Sequence, residues 1–238
     1  MGVVVKIAVC LALLLSAAPA FAQERVIGLL SLPEVFGGSE CAPFDPSDIS
    51  LHGGPNDPKA IATIEVDQNW SFAPHGGCEG LEVRVHRGPD KEELPTREFD
   101  YERPAAIVLD QHDGWFKIRL HQGAAWLKAS VVDQFMPLSD LFEEFTGVTE
   151  ISKSFTGRLT NAPGVTNGPI MMRVAPNQPV HVIEIRESGG RPWVHIEVLS
   201  NSACTAGNDG PPEVISNGWL PLHDQKGEPT VWFSSRGC

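Results

Sequence analysis

Gly114-Trp115-Phe116-Lys117-Ile118-Arg119-Leu120 sets Phe116, Ile118 and Leu120 on one side of an extended chain and Lys117 and Arg119 on the other, because successive side chains of a strand point to opposite faces. One face of this segment is therefore expected to be buried. Pro192-Trp193-Val194-His195-Ile196-Glu197-Val198 repeats the pattern 78 residues later, and each copy is followed by a second tryptophan and a leucine, Ala125-Trp126-Leu127 in one and Gly218-Trp219-Leu220 in the other. Upstream, Leu51-His52-Gly53-Gly54-Pro55 and Leu159-Thr160-Asn161-Ala162-Pro163 both place a leucine four residues before a proline, at an offset of 108. Self-similarity of this kind marks a duplicated unit. The shrinking offset gives the first copy about 30 extra residues, including Cys78, while the second holds about 15 extra between its two tryptophans, including Cys204.

From about Ile49 onward, short apolar runs are bounded by Gly, Pro, Asn and Asp, the pattern of strands joined by turns. Ile61–Val66, Leu81–Val85, Ala105–Leu109, Trp115–Leu120, Val180–Ile185 and Trp193–Leu199 are the predicted strands. Gly and Pro together make 43 of 238 residues, well above their average share, which favours turns over long helices. Ser139 to Phe145 is the one helical segment: Leu138, Leu141, Phe142 and Phe145 follow helical spacing and Ser139 is placed to cap it. The fold class expected is all-β.

The strand beginning Gly114-Trp115 and the following Ala125-Trp126-Leu127, matched by Trp193-Val194-His195-Ile196 and Gly218-Trp219-Leu220, resemble the bacterial SH3 (SH3b) family, whose signature is a Gly-Trp strand followed by a Gly-Trp-Val strand. Phe135-Met136-Pro137-Leu138-Ser139-Asp140-Leu141, Gly157-Arg158-Leu159-Thr160-Asn161-Ala162-Pro163-Gly164 and the ending Val231-Trp232-Phe233-Ser234-Ser235-Arg236-Gly237-Cys238 are similar to segments of exported tandem SH3-domain proteins. Pro192 and Ala125 stand where the family has glycine. The resemblance covers residues 49 to 238 and implies two tandem SH3-like small β barrels that recognise cell-wall or protein segments.

Residues 1–22 read as a signal peptide: Lys6, an apolar run from Ile7 to Leu15, and Ala20-Phe21-Ala22 as cleavage site. The run is too short to span a bilayer, which takes about 20 residues, so no membrane insertion is expected after cleavage. Cys10 follows Val9 inside that run, which argues against a lipid anchor. Cleavage removes Lys6 and no acid, leaving 17 basic and 30 acidic side chains and a formal charge of −13. Such a surface repels phosphate backbones, so no nucleic acid is expected as partner. Export also leaves Cys41, Cys78, Cys204 and Cys238 in a compartment where disulfides persist. Four cysteines allow three pairings, and the spacing favours Cys41–Cys78 and Cys204–Cys238, each worth roughly 3 to 4 kcal/mol on the chain-entropy estimate.

The sequence carries no G-x-S-x-G, H-E-x-x-H, P-loop or dinucleotide fingerprint, the patterns that would announce hydrolase, protease or nucleotide chemistry. The histidines are scattered through turns and strands, and the acids around Asp90 to Glu93, with Glu98, Asp100 and Glu102, lack the order of a calcium loop and read as a solvated loop. His75-Gly-Gly-Cys78 has zinc-ligand spacing, with Cys41 and His52 able to complete four ligands. An exported metal-dependent enzyme or zinc-binding protein using Cys41, His52, His75 and Cys78 is therefore the alternative. The aromatics are the better candidates for ligand contact, since shallow grooves of small barrels hold extended segments against rings. Trp115 and Trp193 begin matching strands and Trp70 lies in the first copy's insertion, so these three are the expected ligand-binding residues; Trp126 and Trp219 are expected to pack in the interior.

The organisation expected is a signal peptide (1–22), an N-terminal arm (23–45) whose tip adds a strand, a first SH3-like domain (46–131), a connector with a short helix (132–156) and a second SH3-like domain (157–238). The function expected is that of a non-enzymatic periplasmic or secreted binding or scaffold protein. It needs no cofactor, and its partner is peptidoglycan or an envelope protein.

Overall fold

The computed structural model describes residues 24–32, 49–66, 71–72, 78–79, 83–100, 103–130, 134–144, 149–165, 171–202 and 211–233. In chain order the elements are β1 (Gly28–Ser31), β2 (Ile49–His52), β3 (Ala60–Val66), β4 (Ser71–Phe72), β5 (Cys78–Glu79), β6 (Val83–Arg87), β7 (Asp90–Glu93), β8 (Thr96–Asp100), β9 (Arg103–His112), β10 (Trp115–Arg119), β11 (Ala124–Lys128), β12 (Gln134–Pro137), α1 (Leu138–Glu144), β13 (Thr149–Ile151), β14 (Gly157–Leu159), β15 (Met172–Val174), β16 (Pro179–Ser188), β17 (Arg191–Leu199), β18 (Val214–Pro221) and β19 (Val231–Phe233). Among the described residues the protein is all-β apart from the seven-residue α1. Every named strand pair is antiparallel.

The duplication seen in the sequence is a duplication of strand order. The first half runs β12-β1-β9-β10-β11-β2-β3, and the second runs β19-β13-β16-β17-β18, which a bridge between Trp219 and Thr160 joins to the β14-β15 hairpin. Registers agree residue by residue. Trp115 lies opposite Lys128 as Trp193 lies opposite Pro221, and Trp126 opposite His52 as Trp219 opposite Thr160. Leu30 faces Phe135 as Thr149 faces Phe233. Each central hairpin even slips at the same place: Leu109 is passed over between Lys117 and Ile118, and Ile183 between His195 and Ile196. Bulges of this kind bend a strand and raise its twist. The turns before the two tryptophan strands, Asp113-Gly114 and Gly189-Gly190, have positive φ at both residues (46° and 78°, 60° and 70°), the geometry that two-residue hairpins need to match strand twist.

Two small closed barrels were expected; the described pairings form open paths instead. In the first half β6 occupies the far edge of β3, carrying β7 beyond it, so the insertion takes the edge on which closure would have to occur. In the second half β15 has no described partner but β14.

Two apolar cores explain how the halves meet. One lies inside the first half, with Leu30, Leu51, Ile64, Val85, Val108 and Ile118 among its members. The other fills the second half around Val194, Ile196, Leu220 and Phe233, and continues into Leu29, Ala105, Ile107 and Leu109 of the first half and Leu138, Leu141 and Phe142 of α1. Strands β1 and β9 therefore bury both faces, alternate side chains entering different cores. That is why Ala105-Ala106-Ile107-Val108-Leu109 reads as an unbroken apolar run, as strands covered on both sides do. Leu29 and Leu30 are both fully buried, each worth about 1.5–3 kcal/mol of transfer free energy.

Within the segment expected to be an arm, residues 28–31 form the strand β1, which lies between β9 and β12. Val26 N–H donates to the Gly227 carbonyl (3.0 Å) and Ile27 N–H to that of Val108 (2.9 Å). Gly227 is buried at φ +79°, and a Cβ there would overlap the Glu24 carbonyl, so only glycine lets the two backbones meet. The 132–156 connector likewise contains β12, which pairs with β1, and β13, which lies between β16 and β19. Ser139 lies within α1 and its hydroxyl is 2.8 Å from Asp140 Oδ1, while the first helical N–H, that of Leu138, is taken by the Ile27 carbonyl at 3.0 Å. The backbone just before β1 thus satisfies one of the helix's free N–H groups, and Ser139 is not its cap.

Candidate functional site

Trp115 and Trp193, expected at the edge of a groove, are interior residues, 7% and 4% exposed. Trp115 meets the His52 ring edge-on, with centroids 5.2 Å apart and planes at 89°. Trp193 Nε1 is buried with no hydrogen-bond partner in the protein. Neither ring offers a free face to a ligand. Trp219 is also buried, stacked on His195 (4.7 Å, 9°) with the Arg186 guanidinium 5.3 Å from its ring, whereas Trp126 is half-buried. Trp70, Cys41, His75, Cys204 and Cys238 lie outside the described residues, and of Cys78 only the backbone pairing with Phe72 is described. Among the described residues no cluster of three or more His, Cys, Asp or Glu side chains has metal-binding proximity.

Open space lies elsewhere, beside the line where the first strand meets the end of the chain. A cleft of about 670 Å³ is lined by Arg25, Phe155, Arg191, Pro192, His223 and Lys226, among others. Each is placed by a backbone feature already described or by a local turn. Arg25 precedes the Val26–Gly227 hydrogen bond. Phe155 closes a turn in which its N–H donates to the Ser152 carbonyl (2.9 Å). Arg191 and Pro192 open β17 directly after the Gly189-Gly190 turn. Lys226 sits in a loop organised by Asp224, whose Oδ1 accepts the N–H groups of Lys226 (2.7 Å) and Glu228 (3.0 Å).

The electrostatics of this cleft run against those of the whole molecule. The chain carries a formal charge of −12, yet Arg25, Arg191 and Lys226 converge here and none of the three forms an ion pair with a described carboxylate. Elsewhere Lys117 pairs with Glu24, Arg186 with Glu184, and Arg97 and Arg119 share the one carboxylate of Glu228, while Arg87, Lys128, Arg158 and Arg173, which do not line the cleft, are also without a described carboxylate partner. Asp224 is the acid on the cleft wall, and its Oδ1 is already engaged by the two backbone donors.

His223 adds no charge at neutral pH. Burial pushes its pKa below the ordinary imidazole value; its hydrogen bond to the Val26 carbonyl opposes that, Arg25 adds to the lowering, and Asp224 and Glu228 oppose it. The Val26 carbonyl, 2.6 Å from Nε2, can only accept, which assigns the ring proton to Nε2. Nδ1 is buried without a partner in the protein. A ring committed to a structural contact through one nitrogen and sealed at the other is poorly placed to shuttle protons.

A second cleft of about 520 Å³ lies on the other side of Ser154, with Arg97, Lys153, Glu228 and Trp232 in its lining. Here Arg97 sits over the Trp232 ring at 4.3 Å, and Trp232 stacks on Phe233 (4.8 Å, 18°) and meets Phe142 edge-on (6.1 Å). Its charges are mixed and largely paired.

Comparison with protein-family models, with curated proteins and with solved structures finds no match for this chain. The site residues were missed in the sequence because Arg25, Phe155, Arg191 and Lys226 come from four segments far apart in the chain, each next to an unremarkable turn. The one local signal was Asp224-Gln225-Lys226-Gly227, whose Asp and Gly ends mark a tight loop.

Proposed function

We propose that this chain is a non-enzymatic binding or scaffold protein of the bacterial envelope, exported by residues 1–22, whose two halves are SH3-like modules that together recognise cell-wall or protein segments. The observation that carries the reading is the junction cleft, where three cations with no ion pair among the described residues, one acid, an aromatic ring and two prolines, Pro192 and Pro221, line open space in a protein of net negative charge. Clefts at the meeting of two units, apolar with a few fixed polar groups, are common ligand sites. Support for the SH3-like reading comes from the paired Trp motifs and the strand order common to both halves. The proposal includes disulfides Cys41–Cys78 and Cys204–Cys238, which intact mass before and after reduction would test.

Function is tested by co-sedimentation of the mature oxidised protein with purified peptidoglycan sacculi. Saturable pelleting that is lost in the Arg191→Glu, Lys226→Glu double variant is the expected result. Failure to pellet would sink the wall reading and leave protein segments, sought by crosslinking in the intact envelope, as the ligand. Pelleting unaffected by both substitutions would move the site away from the cleft.

A further inference from the structure

Resting on the reading of the junction cleft as the binding site, we infer that its ligand is a peptide presenting a carboxylate to Arg25, Arg191 and Lys226. The charge arithmetic selects the sign and limits the size of the anion. Three cations without ion pairs among the described residues attract a negative group at contact distance, while the net charge of −12 repels a polyanion approaching from farther away. A group with one or two charges enters; a nucleic acid or a highly charged polymer does not. Two of the three cations are arginines, whose planar fork matches the two oxygens of a carboxylate. The remaining lining suits a peptide rather than a bare ion. Phe155, Pro192 and Pro221 give apolar contact beside the charges, and Ser154 and Thr156 add exposed hydroxyls that both donate and accept, as peptide amides require.

Placement reinforces the assignment. The three cations are carried by three separate elements: the segment before β1, the start of β17 and the loop after β18. Hydrogen bonds from Val26 to Gly227 and from His223 to Val26 hold the first and last of these together. The backbone that carries Arg25 and Lys226 is therefore fixed before the ligand arrives, and what remains to be ordered on binding is the side chains themselves. The positive charge comes from arginine and lysine and not from His223, so affinity should stay level across the pH range in which imidazoles titrate.

The carboxylate can be a chain terminus or an acidic side chain, and the assay separates the two. The probes, each labelled at the N-terminus with an uncharged boron-dipyrromethene dye, are penta-alanine with a free C-terminal carboxylate, the same peptide as its C-terminal amide, and the amide with a central Asp-Glu pair. Binding is read by fluorescence anisotropy to the mature protein at about 20 mM and about 150 mM salt, bracketing strong and physiological screening. Binding of the free acid alone identifies terminal recognition; binding of the Asp-Glu amide identifies side-chain recognition. In either case Arg191→Gln should weaken binding about tenfold, the loss expected for one charge-assisted hydrogen bond. Adding Lys226→Gln should weaken it further, with melting temperature unchanged because both side chains are exposed. Equal binding of all three probes, binding indifferent to both substitutions, or no binding by any probe would overturn the inference. Sacculus pelleting that persists while every probe fails would overturn the ligand class alone and leave the wall-binding reading standing.

Discussion

Glu228→Gln is the substitution that most directly tests how the halves are held. Glu228 accepts from Arg119 Nη2 at 2.6 Å and from Arg97 Nη2 at 3.1 Å, both across the line between the halves. The three side chains are only 23–27% exposed, so the contacts fall between the surface pairs worth under about 1 kcal/mol and the buried ones worth about 3–5 kcal/mol to break. Burial disfavours the Arg97 charge, Glu228 supports it, and Arg119 opposes it. Removing the carboxylate's charge thus leaves two guanidinium groups facing one another while keeping the side chain's shape. A loss of about 2 kcal/mol is expected, which for a chain of this length lowers the melting temperature by roughly 4–8 °C. Differential scanning calorimetry is the assay. One transition is expected in both proteins, because one apolar core runs through both halves. Glu184→Gln is the control: its contact with Arg186 is exposed (58% and 39%), and its loss should stay below about 0.5 kcal/mol. A Glu228→Gln melt within 1 °C of the parent, or an equal loss from Glu184→Gln, would refute the argument.

Trp193→Ala removes an interior ring and should cost about 3–5 kcal/mol, seen as a lower denaturant midpoint; the protein that remains folded should bind with unchanged affinity, and a selective loss of binding would restore Trp193 to the site. Stability should also depend on pH through His223. Its folded pKa is depressed, so below the unfolded value of about 6.5 the unfolded state binds more protons and stability falls as pH drops from there toward the folded value, with none of this contribution lost above it. Urea midpoints measured from pH 8 down to pH 5 should show that decline, and His223→Gln should flatten it; an identical slope in the variant would assign the effect to another group.

Much of the fold was legible because the signals were local. Alternation along Trp115–Leu120 placed Phe116 and Ile118 toward the interior, and the paired tryptophans revealed a duplication that holds down to the bulges at Leu109 and Ile183. The apolar run Val26–Leu32 suggested a strand at the arm's tip, but its place between two cores was not legible, because that depends on partners at 103–112, 134–137 and 227. The tryptophans misled for a related reason. Their spacing located the strands, but whether a ring faces solvent depends on what crosses it, and His52 lies against Trp115. The cleft was least legible of all, because its charges are assembled from separate segments and form no motif.

The bond between Val26 and the far end of the chain has a consequence for how the molecule is made. His223 and Val26 are 197 residues apart, and every named strand except β19 lies between them in the chain. Contacts this distant form late, after the loop-closure entropy of the intervening chain has been met. Until the second half is in place Leu29 has no second core to enter, whereas Leu30 already has the first half's own core, so the two faces of β1 are covered by parts of the chain that lie far apart in sequence.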